Sequence, residues 1–522
     1  MSKAVSQNSL NLPFLACIIH TKLALRSFVM VPISMLLFAC GGESVSTVDE
    51  VEILPPNNSV NAAPNVIVFF TDDQGWSDVG YHGAASDVKT PNIDALAQSG
   101  VRFSNGYITA PQCSPSRAAM HTGIYQQRFG MDDNKFVPMP LGVTSVAERF
   151  KKIGYKTGMV GKWHLDISRL SFEWLSNNYP EINPIGFSSD QIPFDVRTQY
   201  FASARGYQYV FTGNITRFWR NFDVSGSDTE LGYFDNPDYR INVVSDAADA
   251  FIRKHARTPF YLHVAHFGPH VPIEAPERYL SQFDQNMPTR RRYALATLKA
   301  MDDGVGKVLA TLDELNLRDN TLIIFISDNG APLGVDQTDA PISDAREQWN
   351  GSTNVPMRGE KGMLSEGGIR VPYLLSMPRL ISQNMVIDQP VSSLDAIATA
   401  LKLAEPQYDL LDLDGVDLMP AVTGSADYLD ERALYWRFWG QQAIRKGQWK
   451  YLEVGNQHYL FDMLSVDPES NNLVDTFPEI AQQLNAQYKQ WSATLMRPDD
   501  PSEVSDSVKV RYDIHLNPNR TP

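Results

Sequence analysis

Cysteine is scarce in this chain: 522 residues carry three, Cys17, Cys40 and Cys113. The first two fall in the N-terminal segment, so an internal disulfide framework is excluded, and Cys113 is either a buried structural thiol or a chemical group. Basic residues are short as well, with 45 Lys and Arg against 60 Asp and Glu, a formal net charge of −15. That balance excludes a general nucleic-acid binder, which needs a basic face. It also obliges any anionic substrate to find a locally basic pocket on an acidic protein. Internal repeats and low-complexity tracts are absent, and the strongest apolar run, residues 28–39, is too short to span a bilayer comfortably.

The remaining composition is that of a globular enzyme, 43% hydrophobic, 11% aromatic and 20% charged. It excludes a disordered chain and supports a major domain with a smaller companion. Lys22 and Arg26 precede the apolar run FVMVPISMLLFA, the pattern of a targeting signal. The run ends Leu37-Phe38-Ala39-Cys40-Gly41, which resembles a bacterial lipoprotein box. The expectation is an exported protein of the periplasm or outer membrane, attached through a lipid on Cys40, with plain secretion as the alternative. Residues 1–40 are then the leader, and residues 41–63, polar and Pro/Asn-rich, a tether.

Short apolar runs at residues 65–70, 157–160, 260–265, 321–326 and 372–377 alternate with helical patterns at 145–153, 244–253, 291–315 and 393–403. Such alternation predicts an α/β fold: a large, mostly parallel sheet sandwiched by helices. Thr90-Pro91 predicts a capped helix start with Pro at the first position. Residues 166–240 break the rhythm and are rich in aromatics; they are expected either to loop over a site or to form an excursion with its own small core. From residue 433 onward, short strand-like pieces precede a helical pattern over 478–495. This predicts a small antiparallel sheet with a packing helix. The expected organisation is a catalytic domain over 64–425, a C-terminal α+β subdomain over 426–500, and a tail over 501–522.

Four polar clusters follow predicted strands, the edge of a parallel sheet where ligands bind. Asp72 and Asp73 are adjacent carboxylates, whose mutual repulsion a hard divalent cation would relieve. Ser327-Asp328-Asn329-Gly330 adds another carboxylate and an amide oxygen. Taken alone, each of these two clusters is as easily a turn. Cys113-Ser114-Pro115-Ser116-Arg117 reads as a helix start, with Ser114 as cap, Pro115 at the first position and Cys113 where unpaired N–H groups favour an anion. Arg117 lies about one turn on. The fourth cluster is scattered: Lys162 and His164, His266 and His270, and Lys361. These residues together point to a metal-assisted hydrolase acting on an anionic ester, without separating phosphate from sulfate.

The run Cys113-Ser-Pro-Ser-Arg117 resembles the C-x-P-S-R signature of type I sulfatases, the formylglycine-dependent group within the alkaline phosphatase superfamily. Other segments agree in order: Asp72-Asp-Gln-Gly, Thr90-Pro-Asn-Ile-Asp, Gly161-Lys-Trp-His-Leu, Pro269-His-Val-Pro, Ser327-Asp-Asn-Gly and Lys361-Gly-Met-Leu-Ser-Glu-Gly-Gly. The resemblance covers roughly residues 64–497 and is weakest in the aromatic segment. It implies that a maturation enzyme oxidises Cys113 to formylglycine, whose hydrate attacks sulfur with one oxygen and keeps the other for release. It implies one calcium ion held by Asp72, Asp73, Asp328 and Asn329 together with residue 113. By the same similarity, Arg117 and Lys162 stabilise the nucleophile and the developing charge, and Lys361 clamps the sulfate. His270 then protonates the leaving sugar oxygen and His164 acts as base. His266 has no firm counterpart in the family and is expected to be a packed or loop histidine. Asp166 replaces a glycine common in the family. The implied activity is sulfate removal from a polysaccharide or its oligosaccharides, first a sulfated galactan such as carrageenan, second a glycosaminoglycan. Alternatives are a phosphoester hydrolase of the same superfamily and a non-catalytic sugar binder.

Overall fold

The apolar run at the start of the catalytic region is buried on both sides, and its residues alternate between two cores. Val66, Val68 and Phe70 point into one, Ile67 and Phe69 into the other. A strand with two apolar faces is stable only inside a sheet that helices cover on both sides. That is its position in the computed structural model, which describes residues 63–334, 351–424, 429, 432–496 and 504–517. Cys17, Cys40, the leader and nearly all of the tether lie outside the described residues.

Sixteen strands are described in chain order. They are β1 (Asn65–Asp72), β2 (Val101–Phe103), β3 (Gly106–Tyr107), β4 (Lys156–Gly161), β5 (Tyr209–Gly213), β6 (Arg217–Phe222), β7 (Asp228–Asp235) and β8 (Phe260–Pro269), followed by β9 (Thr321–Ser327), β10 (Tyr373–Ser376), β11 (Met385–Ile387), β12 (Val391–Ser392), β13 (Ala433–Phe438), β14 (Gln441–Lys446), β15 (Trp449–Val454) and β16 (Gln457–Asp462). Ten of them form the main sheet in the order β11-β2-β10-β9-β1-β8-β4-β5-β6-β7. The central five, β9-β1-β8-β4-β5, run parallel. Their carboxyl ends therefore share one edge. Helices Pro91–Gln98, Arg240–His255 and Thr289–Glu314 cover one face, and Cys113–Thr122, Val146–Lys152 and Ser393–Ala404 the other.

The structure bears out the mostly parallel sheet and corrects several local expectations. The helix after residue 112 begins at Cys113 itself, with Gln112 as the preceding residue; Ser114 is not its cap. Ser114 instead donates its amide to Asn134 Oδ1 and its hydroxyl to the His164 carbonyl. Thr90 precedes a helix with Pro91 at the first position, but its hydroxyl bonds to Asp94 Oδ1 rather than capping the backbone. The aromatic segment is two things. Its first part has a small core of its own around Ile167, Leu175, Phe187 and Ile192. Its second part joins the main sheet, as β5 parallel to β4 and the β6–β7 hairpin at the far edge.

Strands β13 to β16 form the expected four-stranded antiparallel sheet. Ile444, Tyr451 and Leu460 on one face pack against Ala481, Leu484 and Tyr488 of the helix Pro478–Ser492. Leu434, Trp436, Ala443 and Leu452 on the other face join the main core. The expected tail holds a further helix, Asp506–Leu516, with Tyr512 fully buried. No helix among the described residues is long and apolar enough to cross a membrane.

A buried charge group fastens the small sheet to the short helix Glu366–Ile369 of the catalytic region. Lys450 on β15 donates to Glu366 Oε1 and Glu469 Oε1, each at 2.8 Å, with all three side chains at most 1% exposed. Burial pushes Glu469 up to about 7 even though the Lys450 ammonium pulls it down. Lys450→Met should remove the one cation that pairs with both acids among the described residues and cost about 3 kcal/mol or more, read as a lowered urea midpoint. An unchanged midpoint would show that this group does not hold the small sheet to that helix.

Candidate active site

The carboxyl ends of β9, β1, β8 and β4 bring the sequence-predicted residues to one place. Asp72 ends β1, and Asp73 follows in the left-handed region at φ 62°. This conformation aims the Asp73 amide at Asp328 Oδ1, 3.1 Å away across the sheet. His164 also has positive φ, 59°, and follows the glycine that ends β4. Residues held in this sparsely populated region tend to cluster at functional sites. Gly161 is required where it stands: its φ is 98°, and a Cβ there would lie 1.9 Å from the Ala265 carbonyl oxygen of β8. That approach lets the Lys162 amide donate to the same oxygen at 2.9 Å and turns the chain into the site.

Three carboxylates and three cations meet around Cys113. The thiol lies 3.5 Å from Asp72 Oδ1, 3.8 Å from Asp73 Oδ1 and 3.3 Å from Lys361 Nζ. Lys162 Nζ donates to Asp72 Oδ2 at 2.5 Å, Lys361 Nζ to Asp73 Oδ1 at 2.6 Å, and Arg117 Nη2 to Asp328 Oδ2 at 2.6 Å. Burial alone would raise the Asp72 carboxyl. Lys162, His270, Arg117 and Lys361 outweigh that and hold it well below the usual range. Asp328 goes the other way. Burial pushes it to about 7 despite Arg117, because Asp72 and Asp73 add like charge.

A metal fits this donor set. Asp72, Asp73, Cys113 and His270 offer ligand atoms all within 4.8 Å of one another. Asn329 donates its amide N–H to Asp73 Oδ1 at 2.7 Å, while its own Oδ1 is buried with no hydrogen-bond partner. Such an orphan oxygen beside three carboxylates is the arrangement a hard divalent cation satisfies. Asp328 stands just behind the group, one oxygen on Arg117 and the other on the Asp73 amide.

The histidines separate clearly. His270 has Nδ1 on the Val271 carbonyl at 2.7 Å and Nε2 3.6 Å from Asp73 Oδ2, with 26% of its side chain exposed. Desolvation, then Lys162, push it down to about 4. His164 is held well below the ordinary histidine range by burial, Lys162 and Arg117, which keeps it neutral. His266 lies parallel to Phe69 with ring centroids 6.5 Å apart and neither ring nitrogen bonded, a packed histidine outside the cluster.

One part of the site was not read from sequence. Arg511 of the last helix donates to Glu360 Oε1 and to the Lys361 carbonyl, each at 3.0 Å. Tyr512 Oη lies 2.6 Å from the Leu364 amide that donates to it. The last helix therefore grips the loop that carries Lys361 from both sides.

Comparisons agree with this arrangement. The Sulfatase family model matches residues 64–406. The chain belongs to the sulfatase family. It is 32% identical to the N-acetylgalactosamine-6-sulfatase of Rattus norvegicus over 74% of this chain and 71% of that one. To the N-acetylgalactosamine-6-O-sulfatase of Bacteroides thetaiotaomicron it is 27% identical, over 92% and 99%. With arylsulfatase J of Mus musculus it shares 29% identity, and the match spans 63% of that relative's length. Among solved structures, Ps i-CgsB superposes with a TM-score of 0.69 at 27% identity, covering 88% of this chain and 98% of that one. The same protein in complex with k-i-k-neocarrahexaose gives 0.68 at 26%. This sulfatase is thus a sulfuric ester hydrolase acting on glycans, and the phosphoesterase and sugar-binder alternatives give way.

The grip on the Lys361 loop is testable by steady-state kinetics. Arg511→Ala should lower kcat/KM about 3- to 10-fold, the loss of one or two charge-assisted hydrogen bonds. Lys361→Ala should cost about 100-fold or more. Wild-type kinetics for the Arg511 variant would show that the last helix has no part in positioning Lys361.

Proposed function

We propose that this sulfatase removes sulfate from a galacto-configured sugar of a sulfated oligosaccharide, using formylglycine made from Cys113 and one calcium ion. The observation that carries the chemistry is the position of Cys113, whose thiol lies 3.5 Å from Asp72 Oδ1, 3.8 Å from Asp73 Oδ1 and 3.3 Å from Lys361 Nζ. Burial, then Asp328, raise its thiol well above the ordinary range, against the pull of Lys162 and Lys361. A thiol kept protonated is a poor nucleophile. Yet it occupies the position where carboxylates, cations and two histidines converge. Oxidation to formylglycine by a maturation enzyme resolves the conflict, because reactivity then no longer needs a thiolate.

Asp72, Asp73, Asp328 and Asn329 would supply the oxygens for calcium, which would lend Lewis acidity to the sulfate ester and to the nucleophile. Arg117, locked between Asp328 and the Lys162 carbonyl, presents fixed positive charge to residue 113. Lys162 and Lys361 reach in from opposite carboxylates and hold the anionic ester. His270 donates a proton to the leaving sugar oxygen. It is neutral without substrate, and the negative charge of a bound sulfate favours its imidazolium. His164, neutral and beside Lys162, takes a proton when sulfate is expelled.

Two names among the similar proteins support the sugar. Carrageenan is a galactan, and N-acetylgalactosamine shares the galacto configuration. We place a sulfated galactan such as carrageenan first and a galactosamine-containing glycosaminoglycan second. The leader supports export to the periplasm, or to the outer membrane through a lipid on Cys40.

Sulfate release from a panel of sulfated oligosaccharides and from an aryl sulfate tests the reading. Cys113→Ala should lower turnover by about 1,000-fold or more on every substrate. His270→Ala should cost about 100-fold on sugars and far less on the aryl sulfate, whose leaving group needs no proton. Near-wild-type activity of the Cys113 variant would refute the nucleophile assignment, and equal losses for His270→Ala on both substrates would refute its acid role.

A further inference from the structure

The β13–β14 hairpin turns through Trp439 and Gly440, both at positive φ, 46° and 64°. A two-residue turn of this kind favours Asn-Gly or Gly-Gly, and an aromatic residue in the left-handed region is costly. Even so, Trp439 leaves 40% of its surface exposed. Its conformation is nonetheless well determined. The indole Nε1–H donates to Asp133 Oδ2 at 2.8 Å, and the buried Phe438 ring stacks near it at 4.9 Å and 17°. Strain, exposure and rigidity together describe a side chain held out for a ligand.

Its location narrows the ligand. Arg437, two residues before Trp439, holds Asp132 through two hydrogen bonds of 2.8 and 3.0 Å. Asn134 in the same segment accepts the Ser114 amide at 2.9 Å, and Ser114 follows Cys113 directly. The hairpin is thus tied, through residues 132–134, to the residue that follows Cys113. Lys135 adds a charge, its Nζ 5.9 Å from the Trp439 ring centroid and 3.9 Å from Asp133 Oδ2, with 36% of its side chain exposed.

We infer that Trp439 and Lys135 form a subsite for the sugar residue next to the one that bears the scissile sulfate. The indole N–H is already used by Asp133, so recognition runs through the ring face, which suits the C–H face of a pyranose. The Lys135 ammonium meets an anionic substituent, sulfate or carboxylate, on that same sugar. A lone aryl sulfate reaches the catalytic pocket without touching this platform. The inference rests on the sulfatase reading and adds a specificity determinant to it.

The test compares kcat/KM for 4-nitrophenyl sulfate with that for the sulfated tetrasaccharide that the wild type desulfates best. Trp439→Ala should reduce the tetrasaccharide-to-aryl ratio about tenfold, equivalent to about 1.4 kcal/mol, mainly through KM. Trp439→Phe, which keeps a ring, should restore most of the ratio. Lys135→Ala should reduce the ratio for tetrasaccharides carrying a second anionic group more than for singly sulfated ones. Trp439→Asn, compatible with the left-handed turn, controls for distortion of the hairpin and should behave as the alanine variant does. An unchanged ratio in Trp439→Ala and Trp439→Asn would overturn the subsite. A wild type that hydrolyses aryl sulfate but no tetrasaccharide would overturn it too, leaving the sulfatase chemistry intact, whereas a wild type inactive on both would sink the reading beneath it.

Discussion

Three carboxylates and three cations share one buried volume at the carboxyl edge of the central strands, and much of the molecule exists to hold them there. Asp72, Asp73 and Asp328 come from two neighbouring parallel strands, β1 and β9, whose register sets Thr71 opposite Ser327. Ionised groups in such a place repel one another strongly unless each is paired. Arg117 answers from a helix on one face, Lys162 from just beyond β4, and Lys361 from a loop far along the chain. The geometry leaves no slack. Asp73 and His164 take left-handed backbone, and a Cβ on Gly330 would sit 1.8 Å from the Gly367 carbonyl oxygen.

The C-terminal elements belong to this arrangement. Lys450 on the small sheet pairs with Glu366, which opens the short helix just beyond the Lys361 loop. Glu366 also accepts from Tyr107 at 2.8 Å, so charge on one sheet is tied to the hydroxyl of a residue near the other. The last helix adds Arg511 and Tyr512 on the same loop. A cation that must grip an anion without swinging toward solvent needs such support. The small sheet thereby supplies rigidity to one end of the site, and through Trp439 it presents a surface beside the other.

Much of this was legible in sequence. Apolar runs with two buried faces marked β1, β4, β8 and β9, because only central strands can be apolar on both sides. Polar residues directly after those runs marked the site, because a parallel sheet gathers its strand ends. Asp72, Asp73, Cys113, Arg117, Lys162, His164, His270, Asp328, Asn329 and Lys361 do come together. Strands β5 to β7 were not legible. Edge strands mix exposed and buried residues, and β7 alternates almost entirely outside the core. The start of the Cys113 helix was misplaced because Ser114-Pro115 imitates a cap, while tertiary bonds from Asn134 and His164 claim Ser114 instead. The last helix carries almost no amphipathic pattern; its hold depends on Arg511 and Tyr512 individually, which periodicity cannot reveal.

Burial, with Asp328 beside it, keeps the Cys113 thiol protonated and makes an unmodified cysteine a poor nucleophile there, so the account stands or falls on the state of residue 113. Mass spectrometry of the tryptic peptide 103–117, on protein made with and without a formylglycine-generating enzyme, measures that state. The account predicts an aldehyde at residue 113, with sulfate release per molecule rising in proportion to the converted fraction. Full sulfatase activity from protein whose peptide carries only cysteine would contradict it.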